Sequence, residues 1–145
     1  MNYNIDRFIR AHERDYEIAL LEIKEGKKRS HWMWYIFPQL KEFGNSATSE
    51  FYGIDGLEEA KAYYNNEYLR KHLLDISEAL VALDSGDIVS ILRYPDNLKL
   101  QSSMTLFMLV DPTQKVFSKV LDKYYNGEKD MKTVKIISNE GKEEL

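Results

Sequence analysis

A chain of 145 residues in which 43% of side chains are hydrophobic and 12% aromatic can bury a core of its own and is too short for two ordinary domains. Its formal net charge of -4 argues against a general nucleic-acid or anionic-membrane binder, though it leaves room for one local basic patch. The lack of cysteine removes disulfides, thiolate catalysis and zinc–thiolate sites, which fits a reducing cytoplasm as the expected location.

No apolar signal core opens the chain, the near-apolar run at 104–110 is far too short for a bilayer, and the terminal KEEL only superficially matches a retention signal. Residues 4–25 read as a packing helix, with Ile5, Phe8, Ile9, Tyr16, Ala19, Leu20 and Ile23 at helical spacing and Gly26 as its stop. His12 and Tyr16 share a face of that helix, but nothing else of a metal site accompanies them.

The segment 27–40, KKRSHWMWYIFPQL, is the densest in unusual residues. Ser30 is a good N-cap, which would place His31 in the first turn of a short helix ending near Phe37, before Pro38. The free N–H groups of that helix start, led by Lys27, Lys28 and Arg29, would form an anion cradle, with His31 as candidate acid or base. Trp32, Trp34, Tyr35 and Phe37 supply large flat surfaces. Most of these belong in a core by ordinary packing, and a lone histidine is as often structural as catalytic, so only the conjunction favours a pocket.

In residues 45–54, NSATSEFYGI, Ser46 is expected to cap a short helix; Thr48 and Ser49 are left either to the helix start or to phosphate and ribose oxygens, and Tyr52 to an inward position. Asp55 with Glu58 forms a capping signature ahead of LEEAKAYY. Residues 67–83 form a central helix through Leu69, Leu73, Ile76, Leu80 and Leu83, with His72 on a solvated face. Asp87 caps a short helix through Leu92, and Tyr94-Pro95-Asp96 ends it and starts the next.

That next stretch, PDNLKLQSSMTLF, is the second unusual motif. With Asp96 as N-cap, Lys99 falls in the first turn, where a cation is locally unfavourable and needs an acidic partner or an anionic ligand. Ser102, Ser103 and Thr105 cost helix propensity, which either close helix packing or a ligand contact would explain. Asp111-Pro112-Thr113 closes this helix and caps another holding Val116, Phe117, Val120, Leu121 and Tyr124, stopped by Asn126-Gly127. Asp130 caps a last helix with Val134, Ile136 and Ile137, for which a strand is the alternative, and the polar tail from about residue 138 is expected to fray.

The segments SHWMWYIFPQL, SATSEFYGI, LEEAKAYY and YPDNLKLQSSMTLF together resemble the domain of unknown function 1810 family over almost the whole chain. The resemblance implies a small, all-helical, single-domain protein of a bacterial and fungal group and carries no activity with it. A calpastatin label attached to some members does not transfer, because that inhibitor is a disordered repeat protein and this chain is too apolar and aromatic for disorder.

The expected fold is therefore one all-α globular domain over residues 1–145 with roughly seven to nine helices, since turn signals recur too often for a four-helix bundle. The expected function is binding or processing of an anionic, nucleotide-like small molecule. Lys28, Arg29 and Lys99 would neutralise charge, Trp32 or Trp34 stack, Ser49, Tyr52, Ser102 and Ser103 line the site, and His31 move a proton. No metal or cofactor is expected. The rival reading is a protein-interaction module using the aromatic segment at 31–40, and a weaker one a single-stranded nucleic-acid binder.

Overall fold

The apolar spacing along the first segment becomes α1 (Asp6–Lys24), which turns Phe8, Ala11, His12, Tyr16, Ala19 and Ile23 inward. The computed structural model describes residues 3–143, and nine α-helices lie among them. Gly26, at φ +76°, ends α1 in a Schellman arrangement: its N–H bonds the Ile23 carbonyl, and the Lys27 N–H bonds that of Glu22. No described helix is long and apolar enough to cross a membrane.

Four short elements follow: α2 (Met33–Ile36), a 3-10 turn (Lys41–Phe43), α3 (Ala47–Tyr52) and, after α4 (Gly56–Asn65) and α5 (Glu67–Ala82), α6 (Ile88–Leu92). A single parallel bridge between Leu40 and Ile54 closes the loop around α3. α5 is the central helix, as its spacing implies, burying Leu69, Leu73, Ile76 and Leu80 between α1 and α8 (Val116–Tyr125). α7 (Asp96–Val110) is enclosed by α4, α6, α8 and α9 (Met131–Glu143), so it is buried nearly all round. That enclosure accounts for two of its small hydroxyl residues: Ser103 and Thr105 are wholly buried and let neighbours approach closely.

Local capping chemistry behaves as expected at three places. Ser46 and Ser49 form a reciprocal capping box on α3, and Asp87 accepts the Val89 and Ser90 N–H groups. Asp130 accepts the Thr133 N–H and hydroxyl, and the Val134 N–H bonds its carbonyl, which makes the last segment a helix and removes the strand alternative. The helix also runs past residue 138 to Glu143 instead of fraying there.

Elsewhere tertiary contacts override the local reading. Ser30 does not cap a helix: α2 starts at Met33 with Trp32 before it, and His31 precedes the helix altogether. Four residues of helix, with no side-chain cap, do not make the expected anion cradle. Asp55 pairs with Lys41 at 2.8 Å, and Glu59, one position beyond the expected Glu58, takes the Asp55 N–H at 2.7 Å. Pro95, not Asp96, is the N-cap of α7. Asp111 holds its own turn through Thr113 and accepts the Tyr64 hydroxyl, while α8 begins without a side-chain cap. His72 is half-buried against α1 instead of solvated.

Two buried carboxylates tie α1 to the rest. Glu22 accepts from the Arg29 N–H (2.8 Å), the Ser30 N–H (3.0 Å), the Ser30 hydroxyl (2.6 Å) and the Trp32 indole N–H (2.9 Å). Burial works against its charge, but these donors outweigh burial and hold its carboxyl below the usual range. Arg7 reaches Glu59 at 2.9 Å and also donates to the carbonyls of Phe51 and Gly53, fastening α1 to α3 and α4.

Candidate functional site

The two unusual motifs meet. The Lys28 N–H bonds the Ile91 carbonyl at 2.8 Å, seating the loop after α1 on α6, and the Lys28 ammonium lies 3.0 Å from Asp96 at the start of α7. The same carboxylate takes Lys99 at 3.0 Å, so the acidic partner that Lys99 required is Asp96. One carboxylate between two ammonium groups leaves a positive charge in excess. Lys99 also sits 4.0 Å from the centre of the Trp34 ring, and that ring is half-buried.

Beside this trio opens a cleft of about 430 Å³ between the 3-10 turn and α7. Trp34 and Phe43 are its aromatic walls, Pro95 and Leu98 its apolar edge, and Gln39, Lys99, Ser102 and Asp130 its polar groups. Gln39 is fixed from behind, because its carbonyl accepts the Ile54 N–H in the parallel bridge. Its side chain is only 3% exposed, yet the amide Oε1 has no hydrogen-bond partner. The Ser102 hydroxyl is shared between the Leu98 carbonyl and Asp130, each at 3.2 Å.

On the other side of Pro95 lies a smaller depression of about 220 Å³, lined by Lys28, Arg29, His31, Arg93, Tyr94 and Asp96. Arg93 holds φ +68° and ψ 160°, backbone that disfavours a side-chain-bearing residue, while extending toward this rim. Arg29 is loosely held by Glu25 at 2.9 Å on the exposed surface. The carbonyl of His31 accepts the Tyr35 hydroxyl at 3.0 Å, and its side chain is exposed.

Six of the residues singled out from sequence therefore gather around Pro95: Lys28, Arg29, His31, Trp34, Lys99 and Ser102. Four do not. Trp32 is 1% exposed with its N–H given to Glu22, and Ser49 is buried in the α3 capping box. Tyr52 packs against Tyr35 and Phe8, with ring centres at 4.8 and 5.8 Å. Ser103 is wholly buried in α7, its hydroxyl without a partner. Gln39, Phe43, Arg93 and Asp130 were not singled out for the site. Gln39 alone carried a signal, as a polar residue set in an aromatic run.

No group of three or more His, Asp or Glu side chains among the described residues is placed to hold a metal ion. A larger open cleft, about 770 Å³, lies between α1 and α5, lined by neither motif.

The sequence pattern of the family described as protein of unknown function (DUF1810) matches residues 2–137. The chain belongs to this family. Its fold is also that of a solved structure, the conserved hypothetical protein Rv1873 from Mycobacterium tuberculosis, with a TM-score of 0.91 and 38% sequence identity over 94% of this chain and 97% of that one. No curated protein matches the sequence. Family membership thus agrees with the all-α architecture and names no reaction for the cleft.

Proposed function

We propose that the cleft beside Pro95 binds an anionic, nucleotide-like small molecule. Its planar ring would lie against Trp34 and Phe43, and its anionic group would extend past Lys99 toward Lys28, Arg29, His31 and Arg93. The observation that carries this reading is Gln39. A buried amide oxygen left without a donor costs about 1–3 kcal/mol, which a ligand N–H such as that of a nucleobase would recover once the Gln39 amide turns its oxygen into the cleft. Base–aromatic stacking adds about 1–3 kcal/mol, and the excess charge of the Lys28–Asp96–Lys99 trio favours an anion. In this reading His31 is the group able to transfer a proton at the ligand's charged end.

The test uses tryptophan fluorescence, because Trp34 is half-buried at the cleft and Trp32 is sealed in the core. Adding ADP or a related mono- or dinucleotide should quench the Trp34 component, and Trp34→Phe should abolish the response. Lys99→Ala should weaken binding and flatten its salt dependence. Gln39→Leu should lower affinity by about tenfold, the equivalent of one lost buried hydrogen bond. His31→Ala should spare binding and remove any turnover. A nucleotide library that neither quenches fluorescence nor shifts the melting temperature would reject the reading.

One observation favours a second reading, a protein-interaction face. Tyr94 and Leu98 stand exposed on either side of Pro95, and exposed apolar groups beside an aromatic cleft suit a partner chain. Substituting Tyr94 and Leu98 by Ser would then abolish capture of a protein partner while leaving nucleotide titrations flat in both forms.

A further inference from the structure

The cleft between α1 and α5 contains a histidine pair whose proton positions follow from geometry. His12, 2% exposed, places Nε2 at 2.8 Å from the Tyr35 carbonyl oxygen. A carbonyl only accepts, so Nε2 carries the hydrogen. In the neutral ring Nδ1 is then an acceptor, and its partner at 2.9 Å is His72 Nδ1, which must donate. His72 is thereby fixed in one tautomer, with its remaining nitrogen, Nε2, presenting a lone pair. No protein group hydrogen-bonds that nitrogen among the described residues.

The His72 ring is held on its other coordinates as well. It lies parallel to Tyr16 with centres 3.5 Å apart, Tyr68 approaches to 4.3 Å, and the Tyr16 hydroxyl donates to the His72 carbonyl. Burial lowers the affinity of both imidazoles for protons, to about 4 for His12, so the neutral pair is the form present at pH 7. The charged groups around it are unequal. Lys71 is occupied by Asp75 at 2.7 Å and Arg14 by Asp15 at 2.9 Å; among the described residues Glu13, Glu17 and Lys24 form no ion pair, which leaves two unpaired carboxylates against one ammonium along the cleft.

We infer that this cleft is a second binding site, in which His72 Nε2, oriented by His12, accepts a hydrogen bond from a protonated amine. Glu13 and Glu17 supply the opposing charge, and the Tyr68 ring a face for the cation. Ile18 and Leu21, exposed farther along the same cleft, suit an amine bearing an apolar tail. The roughly 770 Å³ opening has ample room for such a molecule. His72 is here a ligand-binding group, and His12 a positioning residue that acts through it.

Two measurements on the full chain at pH 8 test this. Nitrogen–proton correlation spectra of the imidazoles should show His12 protonated at Nε2 and His72 at Nδ1. Titration with benzylamine should then shift the His72 Nε2 resonance saturably, and benzyl alcohol, the neutral isostere, should bind at least about tenfold more weakly, as expected when a charge-assisted bond is lost. Glu17→Gln, on the surface, should reduce benzylamine affinity without altering either tautomer, and His72→Phe should abolish the effect. The inference is overturned if His72 carries its proton on Nε2, if benzylamine gives no saturable shift, or if benzyl alcohol binds equally well. None of these outcomes bears on nucleotide binding beside Pro95.

Discussion

Glu22 anchors the loop that lines the depression beside Pro95, and removing its carboxylate is the sharpest test of how the loop at 27–32 is held. Glu22→Ala strips the acceptor from the Trp32 indole N–H, which is sealed in the core, and from the N–H groups of Arg29 and Ser30. A fully buried donor without a partner costs about 1–3 kcal/mol, and the two backbone groups, reachable by water after some loosening, cost less each. The sum is about 3–5 kcal/mol, a large share of a small domain's stability. Glu22→Gln keeps an oxygen for the three N–H donors, and the Ser30 hydroxyl can turn to accept from the new amide, so its cost should be near 1 kcal/mol. Urea unfolding followed by tryptophan fluorescence measures both, with the denaturant slope expected to stay constant. An alanine variant within 1 kcal/mol of the parent, or a glutamine variant as damaged as the alanine one, would refute the assignment of this carboxylate as the loop's anchor.

Further outcomes follow from other buried groups. Arg7→Ala or Glu59→Ala should each cost about 3–5 kcal/mol in denaturant midpoints, because each strands the partner charge; Arg7→Met with Glu59→Leu should cost clearly less than the sum. Stability should also fall on acidification. Burial depresses His12 in the folded state to about 4 from its ordinary 6.5, so the unfolded chain binds the extra proton; stability is whole above about pH 6.5 and declines toward pH 4, by at most about 3 kcal/mol. His12→Gln should flatten that slope in urea titrations between those pH values, and an unchanged slope would count against a neutral buried imidazole. Arg93→Gly relieves a positive φ and should raise the melting temperature by the equivalent of about 1 kcal/mol while weakening any anion binding at the rim, measured in the same nucleotide titration.

Much of the fold was legible because helix ends are written locally. Ser46, Asp87 and Asp130 act on N–H groups two or three residues ahead, so residue type and order suffice to find them. The need of Lys99 for an acid was legible for the same reason, since a cation in a first turn conflicts with the helix dipole wherever the helix sits. Ser30 misled because its hydroxyl and N–H go to Glu22, eight residues back on a different element. His72 misled likewise: on α5 alone its position belongs to a polar face, and only α1 bringing His12 and Tyr16 against it makes that face an interface. Gln39 lay in plain view within the first motif. What the sequence could not show is that the chain around it, pinned by the Leu40–Ile54 bridge, would bury the amide without giving its oxygen a donor.

Asp130 belongs to the cleft and to the start of α9 at once, and this makes the last helix a lever. Its Oδ2 serves Ser102 on the cleft side and Thr133 on the helix side, so any guest that draws this oxygen toward itself takes it from α9. Ten residues along the same helix, roughly 15 Å at the helical rise, Glu140 accepts the Leu57 N–H in the first turn of α4. A disturbance at Asp130 would thus be carried along α9 to the start of α4, where Glu140 holds the Leu57 N–H. If a ligand fills the cleft, the amide hydrogens of Thr133 and Leu57 should therefore exchange with solvent in concert, although only the first of them is held by Asp130.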